Sequence, residues 1–167
     1  MKVLGIVGYS GNGKTRLLQR LIPLLIDRGM TVSTIKHTHH SVRVDEAHDI
    51  SRRLTEAGAV DVAIAGRERW ALLHESPGDE EPQVEDLVGR MAPVDLVLVE
   101  GFKRHPHPKI EVHRPSAGKP LLARDDPHVI AVATDGPLPM VDLPILDLND
   151  PAAIATFIVD RMDLARR

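Results

Sequence analysis

The stretch that decides the fold is Gly8-Tyr9-Ser10-Gly11-Asn12-Gly13-Lys14-Thr15, a complete G-x-x-x-x-G-K-S/T pattern. We call residues 8–15 the phosphate loop. An apolar run precedes it and a helical pattern follows it, which is the context in which this pattern binds phosphate. Its glycines let backbone N–H groups turn toward phosphate oxygens, and the start of the helix adds a favourable dipole. Lys14 is placed to contact the β and γ phosphates, and the Thr15 hydroxyl is placed to ligate Mg²⁺. The sequence therefore predicts a nucleoside triphosphate site with Mg²⁺. The predicted nucleotide-binding residues are Ser10, Gly11, Asn12, Gly13, Lys14, Thr15 and Arg16.

The composition is that of an ordinary globular protein, and the length of 167 residues suggests a single domain over residues 1–167. The net charge of -3 argues against non-specific nucleic-acid binding, which requires a basic excess. No apolar stretch approaches the ~20 residues that span a bilayer, so we expect no membrane partner. The chain contains no cysteine. This excludes disulfides and thiolate metal sites and is consistent with a cytoplasmic location.

Strand-like apolar runs alternate with helical periods, which predicts an α/β fold with a mainly parallel sheet. The predicted strands of this sheet lie near residues 2–8, 30–36, 94–99, 109–114, 128–134 and 144–148. The predicted helices lie near residues 14–28, 46–58 and 83–91, with a last helix from residue 151 capped by Asn149 or Asp150. Short strands on either side of residues 66–69 predict a hairpin, in which we expect Trp70 to be a packing residue.

A second carboxylate is required near the phosphate loop to position the metal. The most apolar predicted strand has Asp95 at its start and Glu100 at its end. In parallel sheets ligands gather at the carboxyl ends of the strands, and Asp95 lies about 16 Å from that end. We therefore predict Glu100 as the metal-side acid and, with Lys14, as a candidate catalytic residue, and Asp95 as a strand-entry residue. The amide of Gly101 is a candidate donor to the γ-phosphate.

Histidines and basic residues cluster in two loops that are expected to open on the nucleotide face. We name this predicted set the rim, and three interpretations of it stay open. It binds an anionic phosphorylated ligand, it binds a transition metal through imidazoles, or it is a solvated surface without a specific ligand. Within the rim, Thr38 is either a switch residue that senses the γ-phosphate or a plain loop threonine. The rim residues are Lys36, His37, Thr38, His39, His40, Lys103, Arg104, His105 and His107.

The choice of base is weakly encoded. No N-K-x-D or T-K-x-D guanine motif is present in the chain. Asp135 follows a predicted strand and is either an acceptor for the N1–H and exocyclic amine of guanine or a turn carboxylate. The residues alone leave GTP and ATP open.

Six strings in this order resemble the molybdopterin-guanine dinucleotide biosynthesis adapter (MobB) family. They are GYSGNGKT, IKHTHH, RWALLHE, LVLVEGFK, HPKIEVHR and LDLNDP. The resemblance extends from Met1 to about Phe157. It implies a P-loop NTPase fold, a three-layer α/β/α arrangement with a mainly parallel (mixed) sheet, and a homodimer. It also places Glu100 at the Walker B position and the rim where a pterin or a partner enzyme is met.

The resemblance further implies a cytoplasmic GTP-binding protein that is at most a weak GTPase. Such a protein assists the molybdenum cofactor guanylyltransferase, which attaches GMP to molybdopterin during Mo-molybdopterin cofactor biosynthesis. GTP and Mg²⁺ are the implied cofactors. Two alternatives remain: a metallochaperone-like P-loop NTPase that uses the histidine loops, and a small-molecule kinase.

Overall fold

The computed structural model describes residues 1–38, 53–74, 81–138 and 141–164. The chain divides into two compact units. The first comprises Met1–His37 with Leu87–Arg167, and the second comprises Thr38–Asp86. A division into two units was not predicted from the sequence. Most of the helix predicted over residues 46–58 lies outside the described residues, although residues 53–56 are helical.

The first unit is built on a six-stranded sheet. Its strands are β1 (Lys2–Val7), β2 (Val32–Lys36), β5 (Leu96–Glu100), β6 (Lys109–His113), β7 (Val129–Thr134) and β8 (Ile145–Asp147). Their order is β2-β5-β1-β6-β7-β8, and every pair is parallel. The carboxyl ends of all six strands therefore meet at one edge, with β1 between β5 and β6. The predicted α/β fold with a mainly parallel sheet is confirmed.

Two helices pack together against one face of this sheet. They are α1 (Lys14–Ile26) and α3 (Pro151–Arg161). A shorter helix, α2, comprises Val84–Gly89. Helical spacing puts Leu17, Leu21 and Leu25 of α1 on one buried stripe, where each apolar side chain contributes about 1.5–3 kcal/mol. Of the two predicted caps, Asn149 and Asp150, it is Asp150 that caps α3, because its Oδ1 accepts the N–H of Ala153 at 3.0 Å. Across the described ranges, no helix is long and apolar enough to cross a membrane.

The opposite face of the sheet carries buried charged groups in β6. Successive strand residues point to opposite faces, so Lys109 and Glu111 lie on the face away from the helices. Glu111 accepts the N–H groups of Leu122 and Ala123 at 2.9 Å each, and Lys109 Nζ donates to Asp126 Oδ2 at 2.7 Å. These contacts hold the segment after β6 against the sheet.

The second unit contains an antiparallel hairpin of β3 (Asp61–Ala65) and β4 (Trp70–His74), as predicted. The N–H of Gly66 donates to the carbonyl of Arg69 at 2.9 Å and closes the turn. The expectation that Trp70 is a packing residue is wrong, because Trp70 is 71% exposed. Strand alternation places Trp70 on the exposed face of the hairpin, opposite the face that carries buried Val62.

Candidate functional site

The phosphate loop joins β1 to α1 at the carboxyl edge of the sheet. Gly11 and Gly13 have φ angles of 83° and 92°, in the left-handed region that favours glycine. Gly8 has a φ of 143°, and a Cβ atom there would lie 2.4 Å from the carbonyl oxygen of Val112. The loop therefore lies directly against the end of β6, and only glycine fits at position 8.

Lys14 is folded back onto its own loop. Its Nζ donates to the carbonyls of Gly8 and Tyr9 at 3.1 Å each. Partial burial lowers the pKa of Lys14, the Glu100 carboxylate opposes this shift, and the charges of Lys103 and Lys36 reinforce it. A cation whose hydrogen bonds go to neutral carbonyls, with other cations nearby, is well placed to bind a polyanion.

Thr15 and Glu100 are in direct contact. The Thr15 hydroxyl is 2.8 Å from both carboxylate oxygens of Glu100, whose residue is 8% exposed. Lys36 Nζ lies 3.7 Å from Glu100 Oε1 and donates to Thr15 Oγ1 at 3.4 Å. The site thus combines a hydroxyl and a carboxylate, which are hard oxygen donors of the kind that Mg²⁺ prefers, so these residues fit that ion.

The structure separates Asp95, which directly precedes β5, from Glu100, which ends β5, in the way the strand direction predicts. Asp95 Oδ2 accepts the N–H and hydroxyl of Thr31 at 2.8 Å and 2.6 Å, so it fixes the start of the strand. The expectation that Gly101 offers its amide to a phosphate is wrong. Its N–H donates to the carbonyl of Ile6 at 3.2 Å and extends the sheet ladder.

Asn12 differs from its predicted role in one respect. Its side chain is buried, with the residue 1% exposed, and Nδ2 donates to the carbonyl of Val112 at 3.0 Å. The side chain is therefore committed to β6, and the backbone N–H of Asn12 donates to the carbonyl of Tyr9 at 3.2 Å. The G-x-x-x-x-G-K-S/T pattern leaves this position unspecified and gives no signal for the contact.

Arg114 was missed by the sequence reasoning, although it ends the string HPKIEVHR. Its Nε donates to the carbonyl oxygen of Asn12 at 3.0 Å, and its Nη1 forms an ion pair with Asp135 Oδ2. Asp135, left open above between a guanine acceptor and a turn carboxylate, is therefore already paired with a cation beside the phosphate loop. A signal was available, because Arg114 ends one predicted parallel strand and Asp135 directly follows the next.

Three rim histidines and Phe102 form a row of rings in the segments that follow β2 and β5. The ring centroids of His37 and Phe102 are 4.6 Å apart, those of Phe102 and His105 are 6.5 Å apart, and those of His105 and His107 are 5.1 Å apart. His107 lies at the buried end of this row and is only 6% exposed, which differs from its predicted rim position. The cause is Gly5, where a Cβ atom would lie 2.5 Å from His107 Nε2.

The exposed basic residues surround the loop more loosely. Lys103 and Arg104 are exposed, and Lys103 Nζ lies 4.7 Å from the ring centroid of Tyr9. Ser10, Gly11 and Arg16 are also exposed. Their predicted roles in nucleotide binding stay predictions.

The metal-binding interpretation of the rim gains no support from the described part of the chain. Within those residues, no group of three or more histidine and acidic side chains could hold a metal ion. His39 and His40 lie outside the described residues. Thr38 is half-buried in the second unit, and its role as a switch stays a prediction.

Comparisons with known proteins agree with one another. The sequence profile of the family described as molybdopterin guanine dinucleotide synthesis protein B (MobB) matches residues 3–135. The chain is 48% identical over 159 residues to the molybdopterin-guanine dinucleotide biosynthesis adapter protein of Haemophilus influenzae, covering 93% of this chain and 86% of that protein. It is 44% identical to the protein of the same description from Escherichia coli, covering 96% and 93%.

The fold is also that of solved structures. A crystal structure described as molybdopterin-guanine biosynthesis protein B (mobB) superposes with a TM-score of 0.73 at 26% identity, over 95% of this chain and 99% of that chain. A shorter match relates the chain to a urease accessory protein UreG of Bradyrhizobium sp., at 33% identity over 98 residues, which covers 58% of this chain and 45% of that protein.

Proposed function

Because the chain belongs to the molybdopterin guanine dinucleotide synthesis protein B family, we propose that it is a GTP-binding adapter that assists the guanylyltransferase step of molybdenum cofactor biosynthesis. The main support for nucleotide binding is the contact between Thr15 and Glu100 near Lys14. This contact brings a hydroxyl and a carboxylate together near a cation, which is the combination that binds the phosphates and the metal of a nucleoside triphosphate in phosphate loops.

Each of the three residues has a distinct task in this proposal. Lys14 exchanges two neutral carbonyl acceptors for the charged β and γ phosphates, which strengthens its hydrogen bonds. Thr15 and Glu100 are the residues that would hold Mg²⁺. When bound, Mg²⁺ neutralises charge on the triphosphate. The same carboxylate must also serve Thr15 and Lys36, which limits its use as a base for water. We therefore expect only weak GTPase activity, in keeping with an adapter.

The exposed cations near the loop are the proposed contact for another molecule of the pathway. Lys36, Lys103 and Arg104 are exposed near the loop and suit an anionic ligand such as the phosphate of molybdopterin or an acidic surface of the guanylyltransferase. We propose that this partner is recruited while GTP is bound, and that the protein works as a cytoplasmic homodimer.

The proposal is tested by calorimetry and partner capture. We expect GTP to bind with Mg²⁺ more tightly than ATP, and the guanylyltransferase to be retained by the immobilised protein in the presence of GTP. The matched variants are Lys14→Ala, which removes the loop cation, and Arg20→Ala, which removes an exposed cation bound to the distant Asn149 carbonyl. The proposal is contradicted if Lys14→Ala keeps both GTP binding and partner capture. It is also contradicted if the unaltered protein shows neither.

A second candidate, metal delivery in the manner of a metallochaperone, is favoured only by the shorter match to the urease accessory protein. It would require the histidine loops to bind a metal ion. Equilibrium dialysis with Ni²⁺ and Zn²⁺ separates the two functions. Stoichiometric binding at micromolar concentration would support the second candidate, and its absence would remove it.

A further inference from the structure

We propose that Arg114 is a positioning residue that holds the phosphate loop in its nucleotide-binding shape, with Asp135 holding Arg114 in turn. We call the Arg114–Asp135 pair the loop clamp. The inference rests on the proposed nucleotide site and adds a residue that the loop pattern does not contain. Arg114 follows β6 and Asp135 follows β7, so the loop clamp links the phosphate loop to the ends of two strands that the loop itself does not belong to.

The loop clamp acts on Asn12, which is hydrogen-bonded to two residues at the end of β6, Val112 and Arg114. The side-chain amide of Asn12 donates to the carbonyl of Val112 at 3.0 Å, and the Asn12 carbonyl accepts Nε of Arg114 at 3.0 Å. Rotation of the residue about its backbone would break at least one of these bonds. The first bond is buried, so its loss would leave a polar group without a partner.

The bond to the Asn12 carbonyl also fixes a phosphate donor. The peptide between Asn12 and Gly13 is trans, so its C=O and N–H point in opposite directions. When Arg114 holds the carbonyl toward β6, the N–H of Gly13 is directed away from β6. Amides of this glycine-rich turn are the groups that cradle phosphate. Gly13, with a φ of 92°, has no side chain to restrict the rotation of this peptide. Arg114 therefore supplies the restraint.

An arginine is required because the two acceptors lie in different directions. The guanidinium presents its donors in a rigid planar fork, so Nε reaches Asn12 while Nη1 reaches Asp135. A lysine at this position carries the charge but has a single ammonium group on a flexible stem. The side chains of Arg114 and Asp135 are 31% and 24% exposed, so the pair is partly shielded from solvent. Asp135 neutralises Arg114, which makes Arg114 a holder of the loop rather than the main phosphate charge.

The test compares Arg114→Met and Arg114→Lys with the control Arg20→Met, which removes another arginine-to-carbonyl bond, from α1 to Asn149, outside the phosphate loop. Affinities are measured by calorimetry for GTP and for inorganic triphosphate, both with Mg²⁺. Loss of a charge-assisted hydrogen bond predicts that both Arg114 variants bind both ligands on the order of tenfold more weakly, while the control is unchanged. Unchanged affinity in Arg114→Met, or full rescue by Arg114→Lys, would overturn the inference. A loss for GTP but not for inorganic triphosphate would also overturn it, because the role would then concern the base.

A second measurement does not depend on any ligand. Hydrogen exchange of the amides of residues 9–13 in the free protein should be faster in Arg114→Met than in Arg20→Met. Equal exchange would overturn the loop clamp. If the unaltered protein binds no triphosphate, the proposed function fails, whereas the exchange result still decides the loop clamp. If Arg114→Met does not fold, Asp135→Asn gives the same two readouts with a smaller change of about threefold, because the bond to Asn12 remains.

Discussion

Replacement of Glu100 by glutamine separates the metal-dependent part of nucleotide binding from the rest. Glutamine has nearly the same shape and can still accept the Thr15 hydroxyl, which lies 2.8 Å from each carboxylate oxygen. The substitution therefore removes one negative charge and leaves the local packing in place. We expect Glu100→Gln to bind GTP in the absence of metal at least as well as the unaltered protein, because a carboxylate no longer repels the triphosphate.

The magnitude follows from the exposure of the groups around the carboxylate. Lys36 Nζ is 3.7 Å from Glu100 Oε1, but the Lys36 side chain is 61% exposed. Solvent screening limits such a pair to about 0–1 kcal/mol, so the free energy of unfolding should change little. The expected effect on Mg²⁺ affinity is larger than this effect on stability. Loss of a group that holds or orients a metal ligand costs about 10–100-fold in metal affinity, and the Mg²⁺-dependent gain in GTP affinity should shrink by that factor.

The assay is calorimetry of GTP binding with Mg²⁺ and with EDTA, for the unaltered protein and for Glu100→Gln. Asp95→Asn serves as the control, since Asp95 lies at the other end of the same strand and binds Thr31. It should keep the full Mg²⁺ effect even if its stability falls. An undiminished Mg²⁺ effect in Glu100→Gln would refute the assignment of Glu100 as the metal-side acid.

Three further predictions concern the loop and its support. Asp126→Asn leaves Lys109, which is 1% exposed, as a buried cation without its carboxylate, and should lower the free energy of unfolding in urea by about 3 kcal/mol. Gly8→Ala places a Cβ atom 2.4 Å from the Val112 carbonyl, and calorimetry should show GTP affinity reduced by at least about tenfold. Burial lowers the pKa of Lys14 from 10.5, so GTP affinity measured by calorimetry should fall as the pH rises through that lowered pKa.

Each of these three has its own check. The double variant Lys109→Met/Asp126→Asn removes both charges and should recover much of the lost stability. Gly118→Ala tests a left-handed glycine with open space beside it and should leave GTP affinity intact. The lowered pKa of Lys14 also makes the free energy of unfolding depend on pH. The free folded protein binds fewer protons than the unfolded chain between the lowered pKa and 10.5, so its free energy of unfolding should rise with pH there. A fall in that window, with other groups unchanged, contradicts the shift.

The sequence predicted those parts of the site that depend on strand direction and on the loop pattern. Glu100 could be chosen over Asp95 because parallel strands place their carboxyl ends at one edge, and the contact of Glu100 with Thr15 agrees with that choice. The hairpin and the cap at Asp150 were predictable for another reason, because each depends on a local sequence pattern.

The sequence did not predict contacts between distant segments. Arg114 reaches Asn12 across 102 positions of the chain, and no local pattern encodes that distance. His107 is buried because Gly5 in β1 leaves room for it, which depends on the register of two strands. Trp70 is exposed because only one face of the hairpin is covered, whereas residue type alone suggests burial.

The most direct test of the central claim is calorimetric titration of GTP with Mg²⁺ into the unaltered protein and into Lys14→Ala. We expect one GTP per chain for the unaltered protein. We expect Lys14→Ala to bind GTP about a hundredfold more weakly, because the variant loses the charge-assisted bonds to the phosphates. Equal affinity in the two proteins would contradict the placement of the phosphates at residues 8–15.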